Sequence, residues 1–234
     1  MPFEFYSQLT RRQQRDYRRS DEIESLPLPQ EARLNIWDRV DALEEALGSG
    51  NLKRLQAATA EFSLAVTQAF GVGSVRVQVK SRRPMDRAGA EYYGLTTWEE
   101  GKQPLIELWM RTRAQKRVVA FKTYMRTLIH ELLHHLDYCY LELGETFHTE
   151  GFFKRESNLF RQLVTERPSR IAVRENMDDP DSTRHDQQSA NGKREAAPPQ
   201  CTQQKEPKAE PEPPKSSERR FKRKKNDQLI LPFS

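Results

Sequence analysis

The chain has 234 residues, with 39 Lys and Arg against 34 Asp and Glu, a net charge of +5 and a sequence pI of about 9.2. At 35% hydrophobic residues and a mean hydropathy of -0.90 it can bury one core but not its whole length, so part of it is expected to be disordered. No run approaches a membrane span, the N-terminus turns basic where a leader would turn apolar, and two isolated cysteines, Cys139 and Cys201, make no disulfide framework.

Residues 1–29 read as a basic arm in which Arg11, Arg12, Arg15, Arg18 and Arg19 surround Tyr17, with Pro27 and Pro29 closing it. A first helix is predicted from about Glu31, with Ile36, Val40, Leu43 and Leu47 at buried spacing and Gly48 and Gly50 ending it. A second, from Leu52 to Phe70, places Leu55, Phe62, Val66 and Phe70 inward. Ser74 to Lys80 alternates, Val75, Val77 and Val79 against Arg76, Gln78 and Lys80, which is the pattern of a half-buried strand. Ala90 to Thr97 and Leu105 to Met110 follow as two more strands across a turn-like stretch at 99–104. The order of helices, strands and helices predicts an α+β domain around a small antiparallel or mixed sheet.

From Val118 to Leu136 a stripe of Val118, Phe121, Met125, Leu128, Leu132 and Leu136 marks a long helix. His130-Glu131-Leu132-Leu133-His134 lies in it, with both histidines off that stripe, and His148 follows fourteen residues after His134. An i,i+4 histidine pair offers two imidazoles at a separation that a tetrahedral Zn²⁺ accepts, and the glutamate beside the first is placed to act as a general base on water. His148, brought back by a turn at Gly144, makes three protein ligands and leaves a fourth position open, the catalytic arrangement. Imidazoles buried in so apolar a helix are costly unless something binds them. Asp137 is a candidate to orient a ligand imidazole, and His135 reads as a surface or supporting residue. Phe152 to Val164 is predicted as the last helix, carrying Phe153, Leu159 and Leu163 into the core.

Thr127-Leu128-Ile129-His130-Glu131-Leu132-Leu133-His134, then His148 with Phe152 four residues on, resembles the SprT-like metalloprotease domain, the family that includes the Spartan DNA-protein crosslink proteases. Ala90-Glu91-Tyr92-Tyr93 and Leu105-Ile106-Glu107-Leu108 fit the strands that this family carries ahead of its active-site helix, so the resemblance spans residues 30–167. It implies a zincin-like fold, one Zn²⁺ per chain on His130, His134 and His148, Glu131 as general base, and hydrolysis of peptide bonds in proteins bound to DNA. The sheet beside such a site commonly presents an edge that accepts an extended peptide. Two departures stand out: Thr149 follows the third histidine where the family usually has glycine, and two cysteines cannot build the four-cysteine zinc ribbon of many members. Glu142, Glu145, Glu150 and Glu156 are alternative third ligands.

Residues 168–218 are poor in apolar side chains and read as a disordered linker. In the last segment, 219–234, Arg219, Arg220, Lys222, Arg223, Lys224 and Lys225 flank Phe221, a basic cluster suited to DNA phosphates and otherwise a solvated charge run or a nuclear localisation signal. The chain then turns apolar at Gln228-Leu229-Ile230-Leu231-Pro232-Phe233-Ser234, which resembles the bacterial sliding-clamp binding motif at Gln228, Leu229, Leu231 and Phe233. Together these features predict a zinc metalloprotease acting on DNA-associated protein, recruited by a sliding clamp, with DNA but no membrane as partner. The compartment expected is the bacterial cytoplasm at the nucleoid, or the nucleus in a eukaryote. The alternatives are a non-proteolytic DNA-repair adaptor with a structural zinc site and another kind of zinc hydrolase.

Overall fold

The computed structural model describes residues 4–84, 93–99, 102–168 and 226–228. Within them the chain is α+β: helices α1 (Arg11–Glu22), α2 (Arg33–Gly48), α3 (Leu52–Ala69), α4 (Phe121–Cys139) and α5 (Glu150–Phe160), with strands β1 (Arg76–Arg82), β2 (Gly94–Thr97), β3 (Leu105–Arg111) and β4 (Asn226–Gln228). The sheet is mixed and runs β1-β3-β2-β4, with β1 parallel to β3 and the other two pairings antiparallel. No helix among the described residues is long and apolar enough to cross a membrane.

Local chemistry sets the helix starts. Thr10 and Gln13 form a reciprocal capping box at α1, and Asn51 accepts from the amides of Lys53 and Arg54 at α3, satisfying donors that a first turn leaves free. Between α2 and α3, Gly50 takes a φ of 64°, a left-handed backbone that glycine adopts without a Cβ penalty. The core joins Ile36, Val40 and Leu43 of α2, Leu55 and Phe62 of α3, Val77, Val79, Ile106 and Leu108 of the sheet, and α4.

The sequence reading of α4 as a one-sided stripe is too narrow. From Tyr124 to Asp137 only Arg126 is exposed, because the sheet, α2 and α5 pack around the helix on all sides. Val118 precedes the helix and bridges to Arg111. Cys139, at its end, is disulfide-bonded and not an isolated thiol.

The N-terminal boundary also moves. Residues 1–29, read as an arm, include α1, which meets α5 through Ser20 and the α4–α5 loop through Tyr17, whose ring lies 5.7 Å from that of Phe147, and Leu26 and Leu28, which enter the core. Gln162 fastens this segment, its Oε1 accepting from the Leu28 amide at 2.8 Å while its Nε2 donates to the Leu26 carbonyl at 2.9 Å. An Arg-rich helix joins the fold because its two inward residues suffice, leaving the arginines outside. In α5 the phase differs from expectation: Thr149 caps it, so Phe152 is fully buried and Phe153 is 41% exposed. Residues 85–92, including Ala90 to Tyr92 of the predicted second strand, lie outside the described residues.

Candidate metal centre

His130 and His134 stand one turn apart on α4, and His148 arrives on the loop that joins α4 to α5. That loop leaves the helix through Glu142, which carries a φ of 51°, and bends at Gly144 and Glu145. Gly144 also leaves room for α1, since a Cβ there would fall 2.8 Å from the Asp16 carboxylate. Thr149, in the position where glycine was expected, has extended backbone and no need of glycine. Its hydroxyl accepts from the Phe152 amide at 3.1 Å and lies 3.2 Å from Ser20 Oγ.

The three Nε2 atoms form a nearly equilateral triangle: 3.0 Å between His130 and His148, 3.2 Å between His130 and His134, and 3.1 Å between His134 and His148. Two nitrogens bound tetrahedrally to one Zn²⁺ lie about 3.3 Å apart, given metal-nitrogen bonds of roughly 2.0–2.1 Å. The triangle therefore has the size of a metal site.

The protons point the same way. His130 Nδ1 lies 3.0 Å from Glu156 Oε2, a carboxylate that only accepts, so Nδ1 carries the hydrogen and Nε2 a lone pair. The Thr146 hydroxyl donates to Asp137 Oδ2 at 3.1 Å and so accepts from His134 Nδ1 at 2.8 Å, which leaves His134 Nε2 bare as well. Two lone pairs thus face one another in a buried space, and a proton on His148 Nε2 can satisfy only one of them. A cation at the centre satisfies all three, and these residues could hold a metal ion together. Burial lowers the pKa of His134, with the other two imidazoles adding to the effect, and lowers that of His148 to about 4, keeping both in the neutral form that metals require.

Of the alternative ligands, Glu156 lies behind His130 as its hydrogen-bond partner, bridged to Arg126 at 3.3 Å, and neither it nor Glu142, Glu145 or Glu150 belongs to the three-residue group. Asp137 does not touch a ligand directly. It holds Thr146, which holds His134, and it is itself gripped by the Arg155 guanidinium at 3.0 and 3.1 Å, with both side chains fully buried. Arg155 continues to the Ser20 and Ile23 carbonyls, so this chain of bonds runs from the site to the end of α1. Desolvation pushes the Asp137 carboxyl up, to about 6, against the pull of Arg155 and Thr146. His135 is fully buried and bonds elsewhere: its Nε2 sits 2.6 Å from the Gly73 carbonyl, tying α4 to the loop after α3.

Glu131 is fully buried and is held from the sheet. The Thr96 hydroxyl donates to its Oε2 at 2.6 Å. Gly94 gives it room, because a Cβ at that position would fall 2.3 Å from Oε1. Period-two alternation puts Gly94 and Thr96 on the same inward face of β2. Phe152 floors the cluster, its ring centroid 4.8 to 5.1 Å from each imidazole, and Trp98 stacks edge-on against Tyr138 at 4.9 Å on the strand side. None of Gly94, Thr96, Thr146, Phe152 or Glu156 was identified from sequence in the role it plays here. For the first two, the sequence reading offered only their place in the predicted strand Ala90 to Thr97.

The basic cluster Arg219 to Lys225 and the residues Leu229, Leu231 and Phe233 lie outside the described residues, as does the linker from 169 onward; Gln228 is the last residue of β4. No protein-family model matches this chain, and no curated protein and no solved structure matches it significantly.

Proposed function

We propose that the chain is a zincin-like, SprT-type zinc metallopeptidase. The observation that carries this reading is the Nε2 triangle of His130, His134 and His148 with Glu131 beside it in the sequence, buried and held by Thr96. Three histidines suit one Zn²⁺ and leave a coordination position for substrate or water, whereas a purely structural site uses four protein ligands. Bound there, the ion supplies Lewis-acid polarisation of a carbonyl and lowers the pKa of water toward neutrality.

The chain's own residues do the rest. Glu131 takes a proton from the attacking water on its carboxylate and returns it to the departing amine, while Thr96 and Gly94 fix where that carboxylate points. Glu156 and Thr146 hold the imidazole tautomers with Nε2 directed inward. Phe152 closes the floor to water, which strengthens the electrostatics above it. An extended polypeptide is the substrate class, taken along the outer edge of β2 by strand addition.

By the resemblance, the substrates are proteins on DNA. The basic cluster at Arg219, Arg220, Lys222, Arg223, Lys224 and Lys225 contributes phosphate contacts, and Gln228, Leu229, Leu231 and Phe233 recruit the enzyme to a sliding clamp, raising its local concentration near DNA. The test is Glu131→Gln in the full chain. It is expected to keep one zinc per chain by elemental analysis and to lower cleavage of DNA-bound protein by about 10²- to 10⁴-fold, the usual contribution of a general base. Loss of zinc on that substitution, or undiminished cleavage, overturns the reading.

A further inference from the structure

The two outer edges of the sheet are treated differently. Beyond β1, the Gln56 side chain of α3 occupies the edge, donating to the Val77 carbonyl at 2.9 Å and accepting from the Val79 amide at 2.7 Å. A side-chain amide thereby imitates a neighbouring strand and blocks that side. Beyond β2, the neighbour is the chain's own Asn226–Gln228, antiparallel, with Thr97 opposite Asn226, Thr96 opposite Asp227 and Leu95 opposite Gln228. This is the edge beside the metal centre, since Thr96 and Gly94 are the residues that position Glu131.

We infer that Asn226–Gln228 is an internal strand that competes with extended peptides for the outer edge of β2. The inference rests on the peptidase reading for its kinetic consequence, though not for the pairing itself. A three-residue strand binds weakly, but a tethered segment competes at an effective concentration that can reach the order of millimolar, enough for partial occupancy. Gln228 is shared: it closes the pairing on β2 and opens the apolar peptide Gln228 to Phe233.

The test uses the full zinc-loaded chain and the variant Asn226→Pro/Asp227→Pro/Gln228→Pro, in which no residue of the segment retains a backbone N–H for pairing. Three measurements decide it. Amide hydrogen exchange along Leu95 to Thr97 is expected to be faster in the variant. A fluorescent peptide of this chain's residues 224–229 is expected to bind the variant about two- to ten-fold more tightly than the parent, the range that millimolar self-competition gives for a weak ligand. KM for an extended peptide substrate is expected to fall by the same factor with kcat unchanged. Unchanged exchange, equal peptide binding, or an unchanged KM each overturns the proposal. Absence of cleavage by the parent and the variant alike defeats the peptidase reading instead, while exchange and peptide binding still decide the strand.

Discussion

The metal centre has two walls, built on different principles. On the helical side, α4 and α5 fix His130 and His134 through Glu156, Thr146, Asp137 and Arg155, nearly all of them buried, with a fully buried ion pair at the end. On the strand side, Thr96 of a four-residue strand donates to Glu131, and Gly94 of the same strand leaves room for it. Metal geometry is therefore tied to the stability of the whole fold, whereas the base is set by a short element that can be altered without touching the ligands.

The largest effect is expected at Arg155. Arg155→Met leaves Asp137 buried without its counter-charge, a change that typically costs about 3–5 kcal/mol, read as a fall in unfolding temperature by calorimetry. The double variant with Asp137→Leu should lose less, because it removes the stranded charge as well. If the single variant is as stable as the parent, the helical wall is not the structural element described. On the other wall, Gly94→Ala drives a methyl into Glu131 and should lower kcat by about 10²-fold, the scale for displacing a reacting group by an ångström, with zinc content unchanged. A loss of zinc there would erase the distinction between the walls.

A smaller effect is expected from Glu156→Ala, which frees His130 Nδ1 and should weaken zinc binding by about 10- to 100-fold in a chelator competition. The smallest is a pH dependence. In metal-free protein the folded-state pKa of His148, about 4, lies below its ordinary 6.5, so the unfolded chain binds more protons between these values. Stability should therefore be full above about pH 6.5 and decline as pH falls toward 4, and His134, shifted the same way, steepens the decline. Denaturant titrations across that range with and without zinc separate this effect from metal release.

What could be read in the sequence was local. His130, Glu131 and His134 share one helix, so their geometry follows from its 3.6-residue period, and the alternation at Val77 and Val79 places β1 within two residues of where it is found. The partners of these residues were hidden because they come from far along the chain. Thr96 lies 35 residues from Glu131, and Glu156 lies 26 from His130. No spacing rule links them. Asp137 was suspected of orienting a ligand, but the intervening Thr146 shows in neither period nor composition. The phase error in α5 has a similar cause: Phe152 and Phe153 are equally apolar, and only the Thr149 cap decides which of them faces inward. In α1 the abundance of arginine masked a helix whose inward face is two residues wide.

The close approach of α1 to α5 also dictates an order of assembly. A Cβ at Gly151 would meet the Ser20 and Asp21 carbonyls at 2.4 Å, and Arg155 donates to carbonyls at the end of α1, so α1 rests on a helix made about 130 residues later. During synthesis from the N-terminus, α1 has no surface to settle on until residues near 160 have emerged, by which time His130, His134 and His148 are all available. Contacts that join sequence positions so far apart are slow to form. A nascent or truncated chain therefore carries the motif without its enclosure, and the finished centre should appear late and all at once.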